Sequence, residues 1–284
     1  MNVLVTGSTG QLGQAICAAL EKQHIAYRGI HSTDCDIKNP QAVDAIFRNS
    51  FDAVIHCAAY SKVDQAEENA EVCYQINVYG TSLLAKACQK CGAYLLYISS
   101  DYVFDGTKAV PYEVDDTKNP LSVYGKSKDQ GEDVVLQSNP QNAVLRVSWL
   151  FGHSKDNFVC SILHTAQSRK RISVVSDQYG SPTYAVDLAP LILEMIIQRP
   201  SGIFHGTNEG ETSRADFARA ILKRCAPQVT VEDISSEAYS AKAKRPSNSC
   251  LSKKCLDSAG FHRLPHWEDA LDRYLREDFQ YDAL

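Results

Sequence analysis

The chain has 284 residues, 44% of them hydrophobic and 22% charged, enough for one large domain with an ample core or for a domain with a smaller companion. A formal charge of −5 and a pI near 5.9 exclude nucleic acid and an anionic membrane surface as the main partner. No apolar run reaches the ~18 residues of a membrane span and the opening MNVLVTG is too short for a leader, so a cytoplasmic protein with ten reduced cysteines is expected.

Residues 2–6 (NVLVT) read as a buried strand, followed by GSTGQLG and a helical pattern in which Leu12, Ile16, Ala19 and Leu20 recur. Gly7, Gly10 and Gly13 therefore sit in a strand-to-helix turn. Glycines there let a pyrophosphate approach the N–H groups at the positive end of the helix, although GxxGxxG differs in spacing from GxGxxG. IAYRGI (25–30) is a second strand. No acid stands directly at its end; Asp34 and Asp36 come later, and Arg28 or His31 could meet a 2′-phosphate. That favours NADPH, with NADH allowed.

Asn39-Pro40 starts a helix, and DAVIHCAA (52–59) is a third strand of the fully buried kind. A long helix is expected over about 70–90, closed by Gly92. Cys88 and Cys91 form an isolated CxxC at its end; no metal site is expected. The run 94–98 is a strand ending in Ser99 and Ser100, and a loop with Gly106, Pro111 and Pro120 follows.

Tyr124 and Lys128 then fall four apart, which puts phenol and ammonium on one helical face. An ammonium there would lower the phenol pKa, and a serine hydroxyl from the strand end could hold a carbonyl while the tyrosine passes it a proton. AVLRVSWLFG (143–152) reads as another buried strand. Strands alternating with helices imply an α/β fold, a doubly wound parallel sheet of Rossmann type over residues 1–150. Residues 151–284 are expected to form mainly a smaller substrate-binding lobe, with some elements returning to the first domain.

TGSTGQLG, CAAYSKVD (57–64), INVYGT (76–81), ISSDYVFDG (98–106) and YGKSK (124–128) resemble the extended short-chain dehydrogenase/reductase superfamily. Within it, the chain resembles the dTDP-4-dehydrorhamnose reductases, and VSWLFG (147–152), DNF (156–158), DQYGSPT (177–183) and KRPSNS (244–249) continue the likeness to the end. The resemblance implies NADPH-dependent reduction of the C4 keto group of dTDP-4-dehydro-6-deoxy-L-mannose to dTDP-L-rhamnose by a monomer or homodimer.

It also implies roles. Ser100, Tyr124 and Lys128 fall on the catalytic set, with Asn77 on the asparagine that steadies the lysine. Gly7, Gly10, Gln11, Leu12 and Gly13, Asp36 with Ile37, and Ala58, Ala59 and Tyr60 fall on the cofactor, as do Tyr124 and Lys128. Ser61, Val63, Ser100, Tyr102, Trp149, Asn157, Arg245 and Asn248 fall on the substrate, the last two toward the nucleotide diphosphate.

Four positions depart from the family pattern: Ser99-Ser100 for Ser-Thr, His56-Cys57 at the third strand, Lys62 at the pocket mouth, and Phe151 for Tyr. Asp101-Tyr102 stands where a dehydratase carries Asp-Glu, so elimination is disfavoured. The alternatives are a reductase of another nucleotide 4-keto-deoxysugar, or a non-catalytic dinucleotide-binding subunit like the β subunit of methionine adenosyltransferase.

Overall fold

The computed structural model describes residues 1–154 and 156–279. Strand β1 (Asn2–Thr6) leads through the glycine turn into α1 (Gln11–Lys22), β2 (Ala26–Ile30), α2 (Pro40–Ile46) and β3 (Ala53–His56). Asn39 caps α2 through Oδ1 and Pro40 takes its first position, where its missing N–H costs nothing. Helices α3 (Val63–Glu68) and α4 (Ala70–Tyr74) run on through a π-helical turn at 75–80 into α5 (Thr81–Cys91). Gly92, at φ 73°, closes it. Strand β4 (Tyr94–Ser100), α6 (Val123–Ser138) and β5 (Ala143–Val147) complete this half.

The second half holds β6 (Leu150–Phe151), α7 (Phe158–Ala166), β7 (Arg171–Val175), β8 (Tyr179–Gly180), β9 (Thr183–Tyr184) and α8 (Ala185–Gln198). There follow β10 (Gly202–His205), β11 (Thr212–Ser213), α9 (Arg214–Cys225), β12 (Thr230–Ile234) and α10 (Ser236–Tyr239). β13 (Asn248–Ser249), α11 (Lys254–Ala259) and α12 (Trp267–Phe279) end the described chain.

Six strands form one parallel sheet in the order β10-β5-β4-β3-β1-β2. The order reverses beside β1, so the glycine turn stands at the carboxyl end of the sheet where the crossovers part. Successive side chains of each strand feed opposite layers. Val3 and Val5 pack with Ile16, Leu96 and Leu188 on one face, whereas Leu4 packs with Val54, Leu84, Leu95 and Val135 on the other.

A separate cluster, with Phe151, Ile162, Val174, Phe217, Trp267 and Leu271, forms the smaller lobe. Two elements of the second half join the sheet instead: β10 pairs with β5, and α8 packs on α1 through Leu188 and Ile192. No helix among the described residues is long and apolar enough to cross a membrane.

Three expectations need correction. The third strand stops at His56, because the backbone turns so that the Ala58 N–H donates to Thr6 Oγ1. The run 143–152 is broken: Trp149 adopts φ 47°, and β6 beyond it pairs with β9 rather than with the main sheet. The long helix carries a π turn, which widens it where Asn77 points inward.

Candidate active site

Every residue of β4 is buried, and the strand delivers Ser100 to its carboxyl end. Ser100 Oγ donates to Asp101 Oδ1 at 2.9 Å and accepts the Tyr102 N–H at 3.2 Å, which caps the short turn 101–103. On the facing element, Ser122 caps α6 by accepting the Gly125 N–H, so Tyr124 lies in the first turn and Lys128 one turn on. The Tyr124 ring meets Tyr102 edge-on at 5.5 Å. Burial pushes its phenol above the ordinary tyrosine range, the nearby Asp101 pushes it further, and a hydrogen bond with the Ser100 hydroxyl works against both.

This corrects the expectation of a lowered phenol pKa. Lys128 is buried, its Nζ donating to the Ile98 carbonyl at 2.7 Å and lying 3.9 Å from the Tyr97 ring centroid. Burial brings its pKa down to about 7, with Glu132 opposing the fall. An ammonium turned toward β4 and the Ile98 carbonyl does not draw the proton off the phenol.

Asn77 also differs from expectation. It does not touch Lys128; Nδ2 donates to Ser127 Oγ at 2.8 Å and to the Tyr60 carbonyl at 3.2 Å, and Oδ1 accepts the Tyr60 N–H at 2.7 Å. It therefore ties the loop after β3 to α6 through the neighbour of the lysine.

The glycine turn is built for close approach. Gly7 has φ 65°, and a Cβ there would stand 2.8 Å from Ala58 N; a Cβ on Gly13 would stand 2.2 Å from the Gly7 carbonyl. Gly10 precedes α1 without a side-chain cap, so the first N–H groups of the helix are left for a ligand. Gln11 reaches across to the Leu150 carbonyl through Nε2, and Leu12 is in the core, so its side chain faces away from the turn.

Ile37 is buried against Gly80, while Asp36 is exposed and held to Lys38. His31 is engaged with Asp34 and Thr33; Arg28 is exposed on β2, and its guanidinium forms no hydrogen bond or ion pair among the described residues. The His56 substitution is absorbed by a neutral imidazole, its pKa brought down to about 3 by burial and by Lys128. The Thr81 hydroxyl donates to the Asn77 carbonyl, so His56 Nε2–H donates to Thr81, and Nδ1 accepts from Thr6.

Of the expected substrate residues, Tyr102 meets Tyr124, Trp149 carries Arg214 over its ring, and Val63 begins α3 with Ser61 exposed just before it. Three others are already engaged. Asn157 caps α7 and spends its amide on the Gly152 and Ser154 carbonyls and Tyr274. Asn248 holds the Lys108 and Val110 carbonyls and accepts the Cys250 N–H. Neither has a donor left for a substrate. Arg245 forks onto Asp64, at 2.6 and 3.1 Å, and onto the Ala243 carbonyl.

Two groups in the pocket escaped the sequence reading. Asp101 is a buried carboxyl whose Oδ2 has no hydrogen-bond partner among the described residues, and burial raises its pKa to about 6, with the nearby Ser249 and Ser100 hydroxyls resisting. Its signal was a charge directly after an apolar strand. Arg214 stacks on Trp149 at 3.7 Å, and its charge is favoured by Tyr102 and Asp101. Its signal was a cation at the first position of a helix, against the dipole.

The model of the RmlD substrate binding domain family matches residues 1–279. The dTDP-4-dehydrorhamnose reductase of Mycobacterium tuberculosis (strain H37Rv) is 39% identical over 276 residues, covering 95% of this chain and 90% of that protein. The spore coat polysaccharide biosynthesis protein SpsK of Bacillus subtilis is 36% identical, covering 97% of each. The dTDP-4-dehydrorhamnose reductase of Bacillus anthracis, solved in complex with NADP, superposes with a TM-score of 0.94 at 36% identity over 97% of this chain and 99% of that one. With a family match and relatives of this identity spanning nearly the whole length, the chain belongs to the dTDP-4-dehydrorhamnose reductase family, within the extended short-chain dehydrogenase/reductases.

Proposed function

We propose that the protein reduces the C4 carbonyl of dTDP-4-dehydro-6-deoxy-L-mannose to the alcohol of dTDP-L-rhamnose. The observation that carries this reading is the Ser100–Tyr124 hydroxyl pair at the carboxyl end of the sheet, with a phenol that burial keeps protonated. A reduction needs a proton donor at the carbonyl oxygen, and a raised phenol pKa suits a group that arrives with its proton. Bound NADPH supplies the hydride to C4.

The residues fit such a cofactor: glycine at 7 and 13 lets the turn close on Ala58 and on itself, and no side chain caps the N–H groups at the start of α1. Gly7, Gly10 and Gly13, with the backbone of Gln11 and Leu12, hold the pyrophosphate. Asp36 and Ile37 would flank the adenine, and Ala58, Ala59 and Tyr60 would line the nicotinamide side. Lys128 keeps donors beyond the one given to Ile98 and holds the nicotinamide ribose. Ser100 turns its hydroxyl from Asp101 to the substrate oxygen, and Tyr124 transfers its proton to the oxygen that gains charge as C4 is reduced. The C=O π pair becomes the O–H bond as the Tyr124 proton arrives, and Tyr124 then recovers a proton from solvent.

The test follows NADPH oxidation with the 4-keto sugar generated in situ, beside NADH and a panel of other nucleotide 4-keto-deoxysugars. Tyr124→Phe is expected to lower kcat by about 10²–10⁴ with NADPH affinity retained. No turnover of any 4-keto sugar by a wild-type protein that binds NADPH would sink the reductase reading in favour of a non-catalytic subunit.

A further inference from the structure

Among the described residues, the guanidinium of Arg214 has neither a hydrogen bond nor an ion pair; only its backbone N–H is engaged, with the Gln178 carbonyl. It is nonetheless fixed in place. Its Cζ lies 3.7 Å from the Trp149 ring centroid and 5.1 Å from that of Phe158, and Gly180 abuts the indole so closely that a Cβ would fall 2.6 Å from it. Stacking of this kind orients the fork while leaving its five donors unused.

The position is electrostatically poor for the protein alone. Arg214 opens α9, where the helix end is itself positive; Tyr102 and Asp101 favour its charge without bonding it, and Arg245 repels it. Burial brings its pKa down to about 10. A cation kept there without a bonded counter-charge is matched by an anion that arrives with a ligand.

The neighbours indicate which part of the ligand that is. Asp101 and Tyr102, directly after Ser100, where the sugar C4 would be reduced, act on its charge. So does Arg245, whose own fork is closed on Asp64. A neutral sugar hydroxyl would leave the charge unmatched, and the cofactor pyrophosphate belongs at the glycine turn. We infer that Arg214, held on Trp149, is the cation that binds the substrate diphosphate; this rests on the nucleotide-sugar reading above.

The experiment compares wild type with Arg214→Met, which keeps the stacked bulk, and Arg214→Lys, which keeps the charge. Binding of dTDP, thymidine and NADPH is measured by calorimetry, and turnover of the 4-keto sugar is measured alongside. Arg214→Met is expected to weaken dTDP about 30-fold, with thymidine and NADPH held within twofold. KM for the sugar nucleotide should rise similarly, by more than kcat falls, and Arg214→Lys should recover most of the loss. Unchanged dTDP affinity in a wild-type background that turns over, or an equal loss for thymidine, overturns the inference alone. Selective loss of dTDP with no wild-type turnover supports it and overturns the reductase reading instead.

Discussion

At the scale of single residues, the pocket is defined by charges that the fold holds away from their ordinary state. Asp101 is the example with a measurable sign. Its carboxyl pKa rises from 3.8 to about 6, chiefly through burial. Below about pH 4 it is neutral whether folded or unfolded. Between pH 4 and 6 the unfolded chain releases the proton that the folded chain keeps, so stability falls as pH rises through that window. Asp101→Asn removes this penalty, and the variant should gain about 2–3 kcal/mol more over wild type at pH 7 than at pH 4 in urea unfolding. Equal differences at the two pH values would show that the carboxyl is no more costly than its amide. The neighbouring hydroxyls were legible in sequence, since Ser100 closes an apolar strand and Tyr124 and Lys128 share a helical spacing. What those groups bond was not: Arg245 meets Asp64 from 181 residues away, and no local pattern encodes that pair.

At the scale of elements, helix α6 decides where the phenol and ammonium stand, and it does so by lying unusually close to its neighbours. Gly131 faces β4 and the π turn; a Cβ there would come within 2.3 Å of the Tyr97 hydroxyl and 2.9 Å of the Asn77 carbonyl. Lys128, one turn earlier, can reach the Ile98 carbonyl only because the helix axis sits that near the sheet. Gly131→Ala should therefore lift the helix, costing about 1–3 kcal/mol of stability and lowering kcat by more than it changes NADPH affinity. An alanine variant with wild-type melting and turnover would mean that the Tyr97 ring simply moves aside. The π turn belongs to the same packing, because it lets Asn77 face inward from a helix whose other residues follow ordinary periodicity. The sequence pattern of 70–90 shows a helix and hides the extra residue, since a π turn breaks the spacing only locally.

At the scale of the whole molecule, two layers of helices enclose a sheet whose interior holds polar groups as well as apolar ones. Glu132 on α6 accepts Ser99 on β4 at 2.6 Å and both ends of the Arg146 fork on β5 at 2.8 Å, locking the two central strands to the helix that carries Tyr124. His56 and His205 are buried neutral, each with a pKa brought down from 6.5 to about 3, first by burial and then by Lys128 and Arg146 respectively. Their contribution is complete above about pH 6.5 and is lost as pH falls, because the unfolded imidazoles take up protons that the folded ones refuse. Each contributes a slope of about 1.4 kcal/mol per pH unit, and the two together outweigh the opposing slope of Asp101. Stability should decline from pH 6.5 to 4.5, and His205→Gln should flatten that decline in thermal unfolding. A pH-independent wild type would contradict the neutral state assigned to both rings.

The sequence by itself determined the alternation of strands and helices, the glycine turn, the hydroxyl at the end of β4 and the Tyr–Lys spacing, because each is written in residues close together in the chain. It also carried the family resemblance that the matches over residues 1–279 bear out. Only the tertiary structure decided that Lys128 turns to Ile98, that Asn77 holds Tyr60 and Ser127, that Asn157 and Asn248 are spent inside the fold, and that Arg214 comes to Trp149. Burial and hydrogen-bond partners are properties of surfaces brought together by folding. A residue's type fixes what it can do, but the groups packed around it decide whether its proton, charge or donors are left to act.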